Sequence, residues 1–492
     1  MVGNGSAPDT LPSARNGLAS EDAPTQSLAP QATASRRRGE TMAHEEGEIR
    51  SELVIIRRLA LPVVITQLAA MLLGVVDTMM LGHFSTEALA ASAVARVWIF
   101  GTVIIAQGIL LGVDPLVSQA QGRGERRRLG TAFQGGLILA AILSLPLAVS
   151  WGFTAEMLRL LGVGDDRAQL AGEYAVAQIP GIPFYLFFMV QRSWLQGRGL
   201  MRPALWVVLF ANAFNVLANW ALIYGNLVLP PMGVSGAGIA TASTQVFMCL
   251  GLFGFVRAFR LHSGAWCAWS REAWTEVRAV LRLGLPIGIQ FGFEVWAFKI
   301  ATLMSEELGT EELAGHTVVL SLASVTFMVP LGISIGAATR VGNLVGAERF
   351  RLAQVSTRAA LYLGGGVMLV AAAVLTVGRG VLPRLFNDDP GVLAAAATIL
   401  PIAAAFQLFD GLQVVASGVL RGMGRTRILA LAHFIAFYGL GLPLAAYLTF
   451  WSDWGLAGIW WGLCLGLGLV CVGLLAWVLR RGPASLEGAP SH

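Results

Sequence analysis

The chain has 492 residues, 55% of them hydrophobic and only 13% charged, with a mean hydropathy of +0.67. Soluble domains carry about 25% charged residues, so this composition excludes an ordinary soluble enzyme or binding module and implies a polytopic membrane protein. The formal charge of +5 comes almost wholly from arginine, Lys299 being the only lysine, and it reads as a topology signal with no nucleic-acid partner. Four scattered cysteines, Cys249, Cys267, Cys464 and Cys471, form no CxxC pair or ligand cluster, so neither a metal centre nor a disulfide framework is expected.

Residues 1–50 differ in kind. They are rich in Ala, Ser, Pro, Gly and charge, and nothing after Arg36, Arg37 and Arg38 could serve as a signal-peptide apolar core. A disordered cytoplasmic tail is expected there. From Leu59 onward, apolar runs of about 20 residues, the length that spans a bilayer, recur between short polar breaks. Their centres fall near Met71, Ile105, Ala141, Tyr185, Asn215, Val246, Glu294, Thr326, Met368, Leu408, Ala436 and Leu467, which predicts twelve transmembrane helices. The breaks alternate. One set carries arginine, as at Arg57 and Arg58, Arg123 to Arg128, Arg192 to Arg202, Arg257 to Arg282, Arg340 to Arg351, Arg421 to Arg427, and Arg480 and Arg481. The other carries Glu87, Asp165 and Asp166, Glu306 to Glu312, Asp388 and Asp389, and Asp453. The positive-inside rule makes the first set cytoplasmic and puts both termini inside.

An internal repeat divides the spans. A shift of 224 residues lays Arg58-Leu59-x-Leu61-Pro62 on Arg282-Leu283-x-Leu285-Pro286, and Gly108, Gly112 and Gly122 on Gly332, Gly336 and Gly346. Two six-helix halves of the same orientation follow: an N-lobe over 51–260, a cytoplasmic linker over 261–280, a C-lobe over 281–481 and a short tail over 482–492. Parallel repeats of this kind build secondary transporters with the substrate path between the halves. No Walker motif is present, which argues against direct ATP-driven pumping. No nucleophile–base pair or metal-ligand spacing appears inside the spans, so no enzyme is expected.

Polar residues inside spans are costly and read as functional by default. Glu294 in span 7 and Asp410 in span 10 lie near mid-span; two facing carboxylates could bind Na⁺, share a proton or bind an organic cation. Asp77 in span 1 is the N-lobe acid, and Asn215 and Asn219, four apart on span 5, share a helical face beside it. Arg96 is expected to snorkel outward and Asp114 to be interfacial; Trp296, near Glu294, could offer a cation–π contact.

At these residues the chain resembles the multidrug and toxic compound extrusion (MATE) transporters, in particular their NorM-like branch. The resemblance rests on VDTMMLG with EALAA, GFEVWAF, AGHTVV with FMVPLGISIGAATRVGNLVGA, and FDGLQVVASGVLRGMGRT, over about residues 50–480. It implies two lobes in a V and a monomeric antiporter in the bilayer that exports organic cations against Na⁺ or H⁺ without a cofactor. Glu294 and Asp410 match the family's C-lobe cation-binding acids, Asp77 its N-lobe acid, and Asn215 and Asn219 the polar positions beside it. Two residues depart from the pattern. Phe406 stands where some Na⁺-coupled members carry a tyrosine, and Lys299 interrupts an apolar span 7, from which it is expected to snorkel toward Glu306 and Glu307. A lipid-linked-oligosaccharide flippase of the same superfamily is the alternative, marked by a wide basic central cavity.

Overall fold

The computed structural model describes residues 29–226 and 230–487, with side chains from residue 45. Of the tail over 1–50 expected to be disordered, residues 1–28 lie outside the described residues, and from Ala29 the chain is helical, within the helix Ala29–Phe84. Ala, Arg and Glu dominate that segment and are strong helix formers, and Glu46 stands four residues before Arg50, a favourable helical spacing. Among the described residues, those up to Gly47 form one compact unit and those from Glu48 onward another.

The second unit carries twelve spans among the described residues, except for residues 45–47 at the start of the first, and there is one for each run in the sequence. In chain order they are Glu45–Phe84, Thr86–Arg123, Arg126–Gly152, Asp165–Gly197, Arg202–Ile223, Gly233–Ala258, Glu272–Glu306, Thr310–Gly346, Phe350–Gly380, Pro390–Gly422, Arg427–Phe450 and Gly455–Arg481, called spans 1 to 12 below. The linker is shorter than expected, because helix resumes at Glu272. Breaks inside spans fall where helix chemistry fails. Span 4 passes through a 3₁₀ turn at Ile179–Gly181, which contains Pro180 and is followed by Pro183. Span 11 contains a π-helical stretch at Phe434–Gly441, a form that recurs at functional sites.

The halves meet through glycines. Span 2 crosses span 7 so closely that a Cβ at Gly108 would strike the backbone of Gly288, and one at Gly112 the backbone of Gly284. Span 8 crosses span 1 in the same way, Gly332 against Val64 and Gly336 against Ala60. The shift of 224 converts one crossing into the other, so the repeat seen in the sequence is a pseudo-twofold axis between the halves. Small residues four apart let membrane helices approach at backbone distance, where dispersion replaces the absent hydrophobic drive. On the axis, a Cβ at Gly122 would overlap the Asn343 carbonyl, and one at Gly346 the Gln119 carbonyl, again related by 224.

Polar bonds join the halves at the arginine-bearing ends. Glu52 of span 1 accepts from Arg340 Nε at 2.9 Å and Nη2 at 2.5 Å, Glu48 pairs with Arg351, Gln119 donates to the Gly422 carbonyl at 3.0 Å, and Thr339 to that of Gln196 at 3.1 Å.

Candidate functional site

Each half buries its own cluster of acids and amides. In the N-terminal half, spans 1, 5 and 6 converge on Asp77. Asn219 donates to its Oδ1 at 2.6 Å and Thr241 to its Oδ2 at 3.0 Å. Asn219 also donates to Asn215 Oδ1 at 3.2 Å, and Asn215 to Thr244 at 3.4 Å. The sequence-predicted trio of Asp77, Asn215 and Asn219 is therefore one site, buried from end to end. Asn212, on the same face but two turns before Asn219, lies outside the cluster and donates to the Ala69 and Val208 carbonyls. Thr241 and Arg96 belong to the cluster and were not expected there. Arg96 turns inward instead of snorkelling, its Nη2 3.7 Å from Asp77 Oδ2. Sequence spacing fixes no rotation of one span against another, and the outcome follows from a fixed carboxylate offering more to a guanidinium than a dispersed headgroup layer.

In the C-terminal half, Asp410 lies close enough to Glu294 for its charge to act on it. Asp410 accepts from Gln413 at 3.2 Å. Glu294 Oε2 is 3.8 Å from His433 Nε2 of span 11, and Gln290 Nε2 is 3.4 Å from that same nitrogen. His433 Nδ1 lies 2.8 Å from the Leu429 carbonyl, which fixes the proton on Nδ1 in the neutral ring and leaves Nε2 an acceptor. The imidazole thus belongs to the acid pair's surroundings. Spacing along the chain does not link it to Glu294, because the contact spans two helices far apart in the sequence.

Three neighbouring residues can be placed. Phe406, one helical turn before Asp410, sits edge-on to Phe298 and Trp460, with centroids 5.8 and 5.9 Å away. Lys299 is half-buried and makes no described ion pair with Glu306 or Glu307. Trp296 lies against Gly101 of span 2, filling the seam between the halves.

Between the clusters and the arginine-bearing ends lies a third group of charges. Arg421 is 2% exposed and Asp114 7%, so neither is a loop or interfacial residue. Asp114 of span 2 is flanked by Arg421 of span 10 and Arg192 of span 4. Arg421 donates to Ser334 Oγ at 2.8 Å and Arg192 to Gln67 at 2.6 Å. These arginines close span ends, which is why the charge pattern read them as loop residues. The helices run past the loops and carry them inside.

Comparison with known proteins places this architecture. The MatE family model matches residues 62–221 and again residues 286–447, one copy in each half. A probable multidrug resistance protein NorM of Deinococcus radiodurans is 36% identical over 447 residues, which cover 88% of this chain and 97% of the relative. The chain belongs to the MatE family. The multidrug resistance protein MdtK of Cronobacter sakazakii is 32% identical over 435 residues, 86% of this chain and 94% of that one. The crystal structure of the eukaryotic MATE transporter AtDTX14 superposes with a TM-score of 0.83 at 24% identity, over 89% of this chain and 98% of that one, a likeness of fold. MatE proteins are transporters and not enzymes. Each of the two matched copies carries one of the acid clusters described above.

Proposed function

We propose that this MatE transporter is a secondary antiporter that exports cationic drugs and toxic organic compounds in exchange for Na⁺ or H⁺ by alternating access. The observation that carries the reading is the presence of acids inside the spans of both repeated halves: Asp77, buried, in one, and buried Asp410 with Glu294, its side chain 16% exposed, in the other. A carboxylate in a low-dielectric span discriminates sharply between an empty site, a site holding an organic cation and one neutralised by H⁺ or Na⁺. Such differential affinity is what a ligand needs to shift one conformation toward another. The relatives named as multidrug resistance proteins support the cargo class.

The arginine-bearing ends and both termini face the cytoplasm in this reading, and the membrane is the inner membrane, as bacterial relatives suggest. The bonds at those ends then support a conformation closed to the cytoplasm. Entry of a proton or Na⁺ from outside neutralises Asp77 or the Glu294–Asp410 pair, releases the drug and permits reclosure; loss of that ion to the cytoplasm restores the charge for the next drug molecule. Na⁺ and the drug are cargo, and no cofactor takes part. The arginines inside the spans favour drug antiport over the flippase alternative, because each stands beside an acid: Arg96 lies 3.7 Å from Asp77, and Arg192 and Arg421 flank Asp114.

The test is efflux of a fluorescent cation from vesicles under a Na⁺ gradient alone or a pH gradient alone. One of the two drives efflux if the reading holds; efflux under neither, with intact protein in the membrane, defeats it.

A further inference from the structure

The Asp77 cluster contains a cation of its own. Arg96 stands ten residues into span 2, about 15 Å from its start, far from any loop. Its Nη1 donates to the Gly74 carbonyl and to Thr78 Oγ1, both at 2.8 Å, so the guanidinium is anchored on the same span that carries Asp77. Its Cζ lies 5.9 Å from the centroid of the buried Tyr174 ring. Its Nη2 reaches toward Asp77 Oδ2 without completing a hydrogen bond, and Nε and Nη2 are buried with no partner. The other donors to Asp77, Asn219 and Thr241, are neutral.

Resting on the reading that Asp77 receives the transported cation, we propose that Arg96 is a tethered competitor for that acid, a specificity-determining residue that holds the carboxylate when no drug is bound and is displaced from it by the incoming cation. The two anchors make this workable. An arriving ammonium or phosphonium needs only to take over the approach at Oδ2, while Nη1 keeps its bonds to Gly74 and Thr78. The guanidinium stays inside the protein throughout. A resident cation weakens binding of any organic cation and returns to the acid as the drug leaves, so it trades affinity for release. A site left with Asp77 and neutral donors alone would hold its cargo too tightly to turn over quickly.

The probe is tetraphenylphosphonium, an organic monocation that cannot itself donate a hydrogen bond. Arg96→Gln should bind it about tenfold more tightly than the wild-type protein, the fold-change set by one charge-assisted contact. Its efflux should show a lower KM and a lower kcat together, and Arg96→Lys, which keeps the charge, should gain less affinity than Arg96→Gln. A role confined to packing would move stability without this split. In the wild-type protein, tetraphenylphosphonium should shift the Arg96 Nη2 resonance in nitrogen NMR and leave Nη1 nearly in place, as Nη2 leaves the acid; this measurement decides the matter if Arg96→Gln does not fold. Unchanged or weaker binding by Arg96→Gln, or an unmoved Nη2 resonance, overturns the tether. Asp77→Asn separates the two levels. If it binds the probe as tightly as wild type, the role given to Asp77 fails; if it loses binding while Arg96→Gln gains none, only the tether fails.

Discussion

Glu52→Gln removes one side of the ion pair that fastens span 1 to span 8. Glu52 is 1% exposed and accepts two hydrogen bonds from Arg340. Removing one member of a fully buried pair costs about 3–5 kcal/mol, because its partner is left charged and dry. Two features reduce the figure here. The Arg340 side chain is 24% exposed, so water takes up part of its charge, and glutamine keeps one acceptor oxygen. About 2 kcal/mol remains, roughly a thirtyfold change in equilibrium constant. The loss falls on the conformation in which these ends are joined, so the opposite one gains. A minor state at about 1% would rise to about a quarter of the molecules. The assay is pulsed electron spin resonance between labels at Glu87 and Glu311, which begin spans 2 and 8 and are related by the repeat, after the native cysteines are replaced. The short-distance population at those ends should grow in Glu52→Gln. An unchanged distance distribution, or a shift to longer distances, would refute the reasoning.

Gly288→Leu and Gly332→Leu should damage the protein alike, each forcing a side chain into a helix backbone at a repeat-related crossing, at a cost of about 1–3 kcal/mol or more. Thermal unfolding in detergent checks this against Gly366→Leu, whose Cβ meets nothing within 4 Å and which should melt with wild type. Phe406→Tyr should not create Na⁺ dependence; the hydroxyl enters the cluster of Phe298 and Trp460 without a partner and should cost about 1–3 kcal/mol of stability, measured by the same melt alongside efflux at varied Na⁺.

The spans were legible because bilayer thickness writes itself into the chain as runs of fixed length, and all twelve centres fall inside observed spans. The repeat was legible because glycines at backbone crossings tolerate no substitute, so Gly108 and Gly332 mark the same crossing twice. Of the N-terminal cluster, Asn215 and Asn219 could be paired from their spacing, since one helical turn fixes their common face. What spacing could not supply was the rotation of one span against another. Arg96 could as readily have pointed to lipid headgroups, and Thr241 looked like any span threonine. Nor could it give the reach of a helix past its loop, which drew Arg192 and Arg421 inside to flank Asp114. His433 escaped for a related reason: it meets Glu294 just before the π-helical stretch of span 11, where the regular period that supports face assignments is broken.

The account stands on three carboxylates, and one measurement bears on them most directly. Glu294→Gln, Asp410→Asn and Asp77→Asn are reconstituted separately, and efflux of an organic cation is followed under the gradient that drives the wild-type protein. Each neutralised acid removes a charge difference worth roughly 1.4 kcal/mol or more between ligand states, so each rate should fall at least about tenfold, with protein abundance and melting unchanged. Wild-type rates in all three variants would contradict the account.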